Sequence, residues 1–258
     1  MEITTPNSNS PLPNPLREAR RLTALAHAEH VTARLLGGVA VAIRAEGRLP
    51  PALQRPYKDL DYVTRRRDAA TWAQILERAG YVPDAAFNRL HGAQRLLHYD
   101  PANAKQLDTF IDTFAMCHVL DLQDRLPTTG ETLSPADLLL TKLQIVEVND
   151  KDLIDTIALL LSHPLGRHSE DVIDLTALAG VLGQDWGWYT TISDNLTKVK
   201  ERLSTVNLDP EPKETVLARL EELQEALPRF PKTLKWKLRA KVGRRLIWYD
   251  LPEEVDEH

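Results

Sequence analysis

The pattern of apolar and polar positions changes character along the chain. Up to about residue 127, short runs that alternate at a period of two are mixed with helical stretches, whereas after Ser134 the helical period prevails. Asn14-Pro15 supplies a cap and a first-turn proline for a helix running to about residue 28. Residues 31–36 are apolar and partly β-branched and predict a short strand. Gly37-Gly38 interrupts it, and 39–46 resumes as a short helix ending near Gly47. Residues 49–57 hold three prolines and predict a loop. The segment KDLDYVT, 58–64, alternates charged and apolar residues as a half-buried strand does. Residues 68–79 read as a helix closed by Gly80. Strands are predicted at 89–99, bounded by Asp100-Pro101, and at 106–112, QLDTFID. Beyond Thr128–Gly130, a turn, helices are predicted at 134–147, 150–162, 170–182, 186–204, 212–226 and 231–246.

The expected organisation is a tail rich in Pro, Ser and Asn over 1–15, read as flexible, an α/β domain over 16–127, and an all-helical domain over 128–258. The fold class is α/β in the broad α+β sense: a mixed sheet flanked by helices, followed by helices alone. The composition is that of a folded protein, 43% hydrophobic and 27% charged over 258 residues. A formal net charge of -5 argues against a protein that coats nucleic acid indiscriminately. One cysteine, Cys117, excludes an internal disulfide and a four-cysteine zinc site and fits a reducing, cytoplasmic setting. The longest apolar stretch, 35–43, is well short of the roughly 18 residues that read as a membrane span, so no membrane partner is expected. The first residues carry no basic and apolar leader pattern.

The chemistry concentrates in carboxylates. Asp59 and Asp61 are two apart on a predicted strand and therefore share a face, with Leu60 and Tyr62 on the other. Asp108 lies on a second predicted strand, with Phe110 and Asp112 on its side. Pairing of the two strands would bring three carboxylates together, and their repulsion would be relieved by a divalent cation such as magnesium, which takes hard oxygen ligands. Read separately, each pair is equally a solvated strand edge. Gly37-Gly38, between an apolar strand and a helix, lets the backbone approach a ligand, and the helix N-terminus offers amides to phosphate; a plain tight turn is the alternative. Arg55 and Lys58 would add positive charge to such a cradle or stand in solvent.

The order of these features resembles the minimal nucleotidyltransferase fold: a Gly-Gly turn after a strand, Arg55 and the acidic pair in RPYKDLD, then an aspartate in LDTF. TKLQIVEVNDKDLIDTIALL, 141–160, is similar to the lysine-bearing helix and D-x-x-D motif of the AbiEii-type toxin nucleotidyltransferases. The resemblance covers about residues 31–162. It implies that Gly37 and Gly38 bind the triphosphate of a nucleoside triphosphate, and that Asp59, Asp61 and Asp108 hold Mg2+. It makes Asp108 the third carboxylate and candidate general base, with Asp112 the alternative. Lys142 would reach phosphate, and Asp152 and Asp155 would position Lys142 or the acceptor. It also implies a toxin of a toxin–antitoxin pair, with an antitoxin protein as partner.

The basic segment 229–245 carries eight Lys and Arg and no acid, with Trp236, Trp248 and Tyr249 within or beside it. Basic groups supply the salt-dependent part of nucleic-acid affinity and rings stack on unpaired bases, so an RNA or tRNA acceptor suits it. Pairing with the acidic stretch 250–257 is the competing reading. His91, His98 and His118 share no ligand spacing. Magnesium-dependent transfer of a nucleotide to an RNA or protein hydroxyl is the function expected. A small-molecule transferase of the antibiotic-modifying kind and a silent nucleotide-binding module are the alternatives.

Overall fold

A computed structural model describes residues 10–251; most of the predicted N-terminal tail and the acidic residues after Leu251 lie outside the described residues. The chain forms two compact units. The first comprises Met1–Ile43, Pro56–Phe114 and Asp121–Leu133, and the second Arg44–Arg55, Ala115–Leu120 and Ser134–His258.

The elements running through the first unit are α1 (Pro15–Ala28), β1 (Ala33–Leu36), α2 (Gly37–Arg44), β2 (Leu60–Thr64), α3 (Ala69–Arg78), β3 (Val82–Pro83), α4 (Ala85–His91), β4 (Arg95–Asp100) and β5 (Lys105–Ile111). They build a five-stranded sheet in the order β1-β2-β5-β4-β3. The β2–β5 pair is parallel and the other pairs are antiparallel, so the sheet is mixed. One face carries Tyr62 and Thr109 against α1 and α3. The Tyr62 hydroxyl donates to the Ala19 carbonyl at 2.8 Å, and the Trp72 indole N–H donates to Thr109 Oγ1 at 3.0 Å. By strand alternation the other face carries Asp61, Asp108, Phe110, Arg95 and Leu97.

Helix starts follow the expected chemistry. Asn14 caps α1, with Pro15 in its first turn. The Asp100 carboxylate accepts from the amides of Ala102 and Asn103 and closes the β4–β5 hairpin.

Three sequence expectations need correction. Residues 89–99 are not one strand: α4 occupies the first part and β4 starts at Arg95. Asp84 caps α4 through the Phe87 amide, and the Asn88 side chain bonds both the N–H and the C=O of Leu97, fastening α4 to β4. His91 therefore lies on a helix. Asp112 does not extend the alternation of β5, which ends at Ile111: its backbone is left-handed, φ 61°, and its carboxylate accepts from the Arg66 amide. The helix after β1 opens at Gly37 itself rather than after the glycine pair.

Two short strands, β6 (Thr113–Ala115) and β7 (Val119–Asp121), lie where the chain leaves the first unit and returns. The second unit holds α5 (Pro135–Leu143), α6 (Asp150–Ser162), the short parallel pair β8 (Leu165–Gly166) and β9 (Ile173–Asp174), α7 (Leu175–Leu182), α8 (Trp186–Thr205), α9 (Pro210–Ala226) and α10 (Leu234–Val242). All nine residues of α5 are buried, so it is the core helix of this unit. The predicted order, a mixed sheet with helices and then a helical part, is the order found. No helix is long and apolar enough to cross a membrane.

Candidate functional site

In the first unit, register alone brings two of the predicted acids together. Asp61 on β2 stands opposite Asp108 on the parallel strand β5, and Leu36, the last residue of β1, pairs with Asp61. The next residue after Leu36 is Gly37, with φ 71°, where α2 begins. Its α-carbon lies so close to Asp61 that a Cβ there would come 2.1 Å from Asp61 Oδ2. Only glycine fits both the dihedral and the contact. Gly38, next in α2, completes the pair at the helix N-terminus, where peptide N–H groups point outward and favour an anion.

Asp59 precedes β2 and is exposed; its carboxylate accepts from the Gln106 amide at 3.3 Å. Lys58 is exposed beside it. Asp108 is buried, and both of its oxygens are engaged. Oδ1 accepts from Arg95 Nε at 2.6 Å, and Oδ2 accepts from Gln106 Nε2 at 2.7 Å. The Arg95 guanidinium lies over the rings of Phe87 and Phe110, at 5.6 and 5.2 Å. Among the described residues, no three His, Cys, Asp or Glu side chains stand together as a metal-binding group. The donor set offers a magnesium ion the hard oxygens of Asp59 and Asp61, enough for an ion that keeps water and phosphate ligands besides. Arg95 and Gln106 take one lone pair on each oxygen of Asp108, which leaves each oxygen a second acceptor position. Sequence reasoning missed Arg95, which meets Asp108 only because β4 lies beside β5 in this register.

In the second unit, Arg55, Lys142, Asp152 and Asp155 form one network, with Lys142 and Asp155 buried and the other two half-buried. Lys142 Nζ reaches Asp152 Oδ1 at 2.8 Å and Asp155 Oδ2 at 2.9 Å. Arg55 forks onto Asp155 through Nε at 3.0 Å and a terminal nitrogen at 2.7 Å. Burial opposes the charge on Lys142, but Asp155 and Asp152 outweigh it and hold the ammonium above the usual lysine range. Burial likewise opposes the Asp155 charge, and Lys142 together with Arg55 holds its carboxyl below the usual value. One helical turn on α6 places the two acids on the same face, and Asn149 caps that helix.

The basic segment of the second unit is partly committed to its own fold. Arg239 donates to the carbonyls of Gly243 and Leu246, and Arg244 forks onto Asp194 at 2.7 and 2.8 Å. Trp248 donates to Thr191 at 3.1 Å, and the Asp250 amide to the Cys117 carbonyl at 3.0 Å. Lys235, Lys237, Lys241 and Arg245 remain exposed. Trp186, Trp236 and Trp248 line a cavity of about 380 Å³ with Arg239. His118 is buried, bonded to Thr191 and placed against Trp188, as an ordinary packed histidine.

No family model matches the sequence, and no curated protein matches it. Several solved structures are similar to the chain. The lincosamide antibiotic adenylyltransferase LnuA, bound to lincomycin, has 17% identity and a TM-score of 0.42, over 55% of this chain and 94% of that one. The antibiotic-resistance factor ANT(2'')-Ia has 13% identity and a TM-score of 0.38, over 57% of this chain and 82% of that one. An antigenic nucleotidyltransferase-like protein from Paracoccidioides brasiliensis has 14% identity and a TM-score of 0.40, over 84% of this chain and 94% of that one. TM-scores below 0.5 at such identities decide nothing about the chemistry of this chain.

Proposed function

We propose that the chain is a nucleotidyltransferase, which moves a nucleoside monophosphate from a nucleoside triphosphate to a hydroxyl group and releases pyrophosphate. The observation that carries this reading is the seat of Asp61 against the α-carbon of Gly37, where α2 opens. Amides of the first turn of α2 would hold phosphate oxygens, with a carboxylate of the neighbouring strand directly beside them. Glycine at 37 lets phosphate and carboxylate approach with no side chain between. A magnesium ion, when bound by Asp59 and Asp61, supplies the positive charge that lets carboxylates and triphosphate oxygens share the site. Catalysis of this kind rests on positioning and electrostatics.

The acceptor in this reading is RNA, with tRNA included. The exposed Lys235, Lys237, Lys241 and Arg245 support it as phosphate-binding groups. A toxin role with an antitoxin protein as partner belongs to the same reading and rests on the resemblance of residues 141–160 alone.

The test is incubation with each labelled nucleoside triphosphate, magnesium and total RNA. Label is expected on RNA, and Asp61→Asn is expected to lower its rate by about 10²-fold or more. Label on neither RNA nor protein, with any of the nucleotides, overturns the RNA acceptor and leaves the small-molecule transferase and the silent module.

A further inference from the structure

Three of the five tryptophans gather at one place in the second unit. Trp186 opens α8, Trp236 lies on α10 and Trp248 follows that helix, and together they line the cavity of about 380 Å³. Leu238 and Val242 line it too and stay open to water, 54% and 36% exposed. Polar groups complete the lining: Asp185, which caps α8 through the Trp188 amide, and the exposed Gln184 and Lys235. Each of the three indoles already carries a cation of the protein. The Arg239 guanidinium lies over Trp186 at 4.8 Å, Arg244 over Trp248 at 5.1 Å, and the Lys232 ammonium over Trp236 at 5.8 Å. Arg239 is held there by the carbonyls of Gly243, Leu246 and Ile247, and Arg244 by Asp194.

The charges decide what kind of guest fits. A cationic ligand would meet the guanidinium and ammonium groups that the rings already hold, so this is not a cage for an ammonium group. Flat apolar walls in a positive field suit a planar group that bears a negative charge beside it. We propose that the cavity takes an unpaired nucleotide of the acceptor RNA, with its base among the three indoles and its phosphate toward Lys235. The inference rests on the RNA reading of the basic segment and deepens it, from affinity for any phosphate backbone to selection of single strands. The exposed Lys237, Lys241 and Arg245 of the same segment supply positive charge for neighbouring phosphates. Charge alone would bind duplex and single strand alike. Rings add a preference for the single strand, because a duplex keeps its bases paired and stacked, and that preference tolerates any sequence, because every base has a flat face.

The test is the binding of a fluorescein-labelled single-stranded RNA decamer, and of the same sequence as a duplex, to the full chain without triphosphate or magnesium. Fluorescence anisotropy is expected to show the single strand bound at least about tenfold more tightly than the duplex. Trp186→Leu is expected to weaken the single strand by about tenfold and the duplex by less than about threefold. Free uridine monophosphate, read by its competition with the decamer, is expected to bind at least about tenfold more weakly than the decamer. Equal affinity for strand and duplex, an unchanged single-strand affinity in Trp186→Leu, or a mononucleotide that binds as tightly as the decamer overturns the proposal. Urea unfolding checks the variant. If it does not fold, the tryptophan emission of the wild-type chain decides: quenching by the single strand and not by the duplex is expected, and equal or absent quenching overturns the proposal. Failure of the transferase reading would show separately. Protein that binds the decamer in this way yet labels no RNA keeps the site and loses the transfer, and protein that labels RNA yet binds strand and duplex alike loses the site and keeps the transfer.

Discussion

A single α-carbon carries most of the site's geometry. Gly37→Ala adds a methyl group 2.1 Å from Asp61 Oδ2, on a residue with φ 71°. It is expected to cost about 1–3 kcal/mol of stability and to abolish nucleoside triphosphate binding, as read by chemical unfolding and isothermal calorimetry. Adding Asp61→Ala should return part of the stability, by removing the clash, but none of the binding. His98 offers a different single-residue test. It is fully buried, and neither ring nitrogen has a hydrogen-bond partner. Burial lowers its pKa from 6.5 to about 4, against a smaller opposing pull from Asp108, and burial does the same to His118. Between these values the unfolded chain binds more protons than the folded one. Stability is thus complete above about pH 6.5 and falls as the pH drops toward 4, by about 3 kcal/mol for each histidine. His98→Leu should flatten this acid limb in urea unfolding measured from pH 7 to 4 and should stabilise the protein at pH 5. The facing of Asp61 and Asp108 was legible in the sequence, because a period of two fixes the side of each residue. The claim of Arg95 on Asp108 was not legible, because it depends on which strand lies next to β5 and in which register.

At the scale of elements, α6 shows what a motif does when it folds. Its Asp152 and Asp155 were readable as a pair one turn apart, and their grip on Lys142 was among the roles expected for them. Arg55, read as part of a phosphate cradle, instead forks onto Asp155. Asp155→Ala would leave Lys142 with Asp152 alone and take from Arg55 the carboxylate it forks onto, and should destabilise the protein by about 3 kcal/mol in thermal or urea unfolding. A loss under 1 kcal/mol would mean that the network is not held together by charge. The helices α1, α6 and α8 were legible almost to their ends, whereas α5 was legible at its start, which Ser134 announces, and stops at Leu143, short of the expected 147. The helix α4 was hidden because it spans seven residues and runs into β4 after a short turn. At that length tertiary fastening by Asn88 decides the conformation, and local pattern does not.

At the scale of the whole molecule, the basic segment is divided between fold and surface. Removing it would strip α8 of Arg244 and its two bonds to Asp194, so charge change is the cleaner experiment. Replacing Lys235, Lys237, Lys241 and Arg245 by Glu should weaken RNA binding and flatten its dependence on salt concentration, with the unfolding temperature little changed. An unaltered salt slope would remove RNA from the proposal. Each of the two units is stitched from separate stretches of chain. That stitching has a consequence for biosynthesis. The first unit has all its residues once Leu133 has left the ribosome, while Ala115–Leu120 is still waiting for Asp250, whose amide bonds the Cys117 carbonyl. At ordinary elongation rates the wait is on the order of ten seconds. Nascent chains arrested with about 140 residues outside the tunnel should therefore resist protease over the sheet and be cut within 115–120, a peptide sheltered by residues made later, Gln144, Thr191 and Asp250 among them.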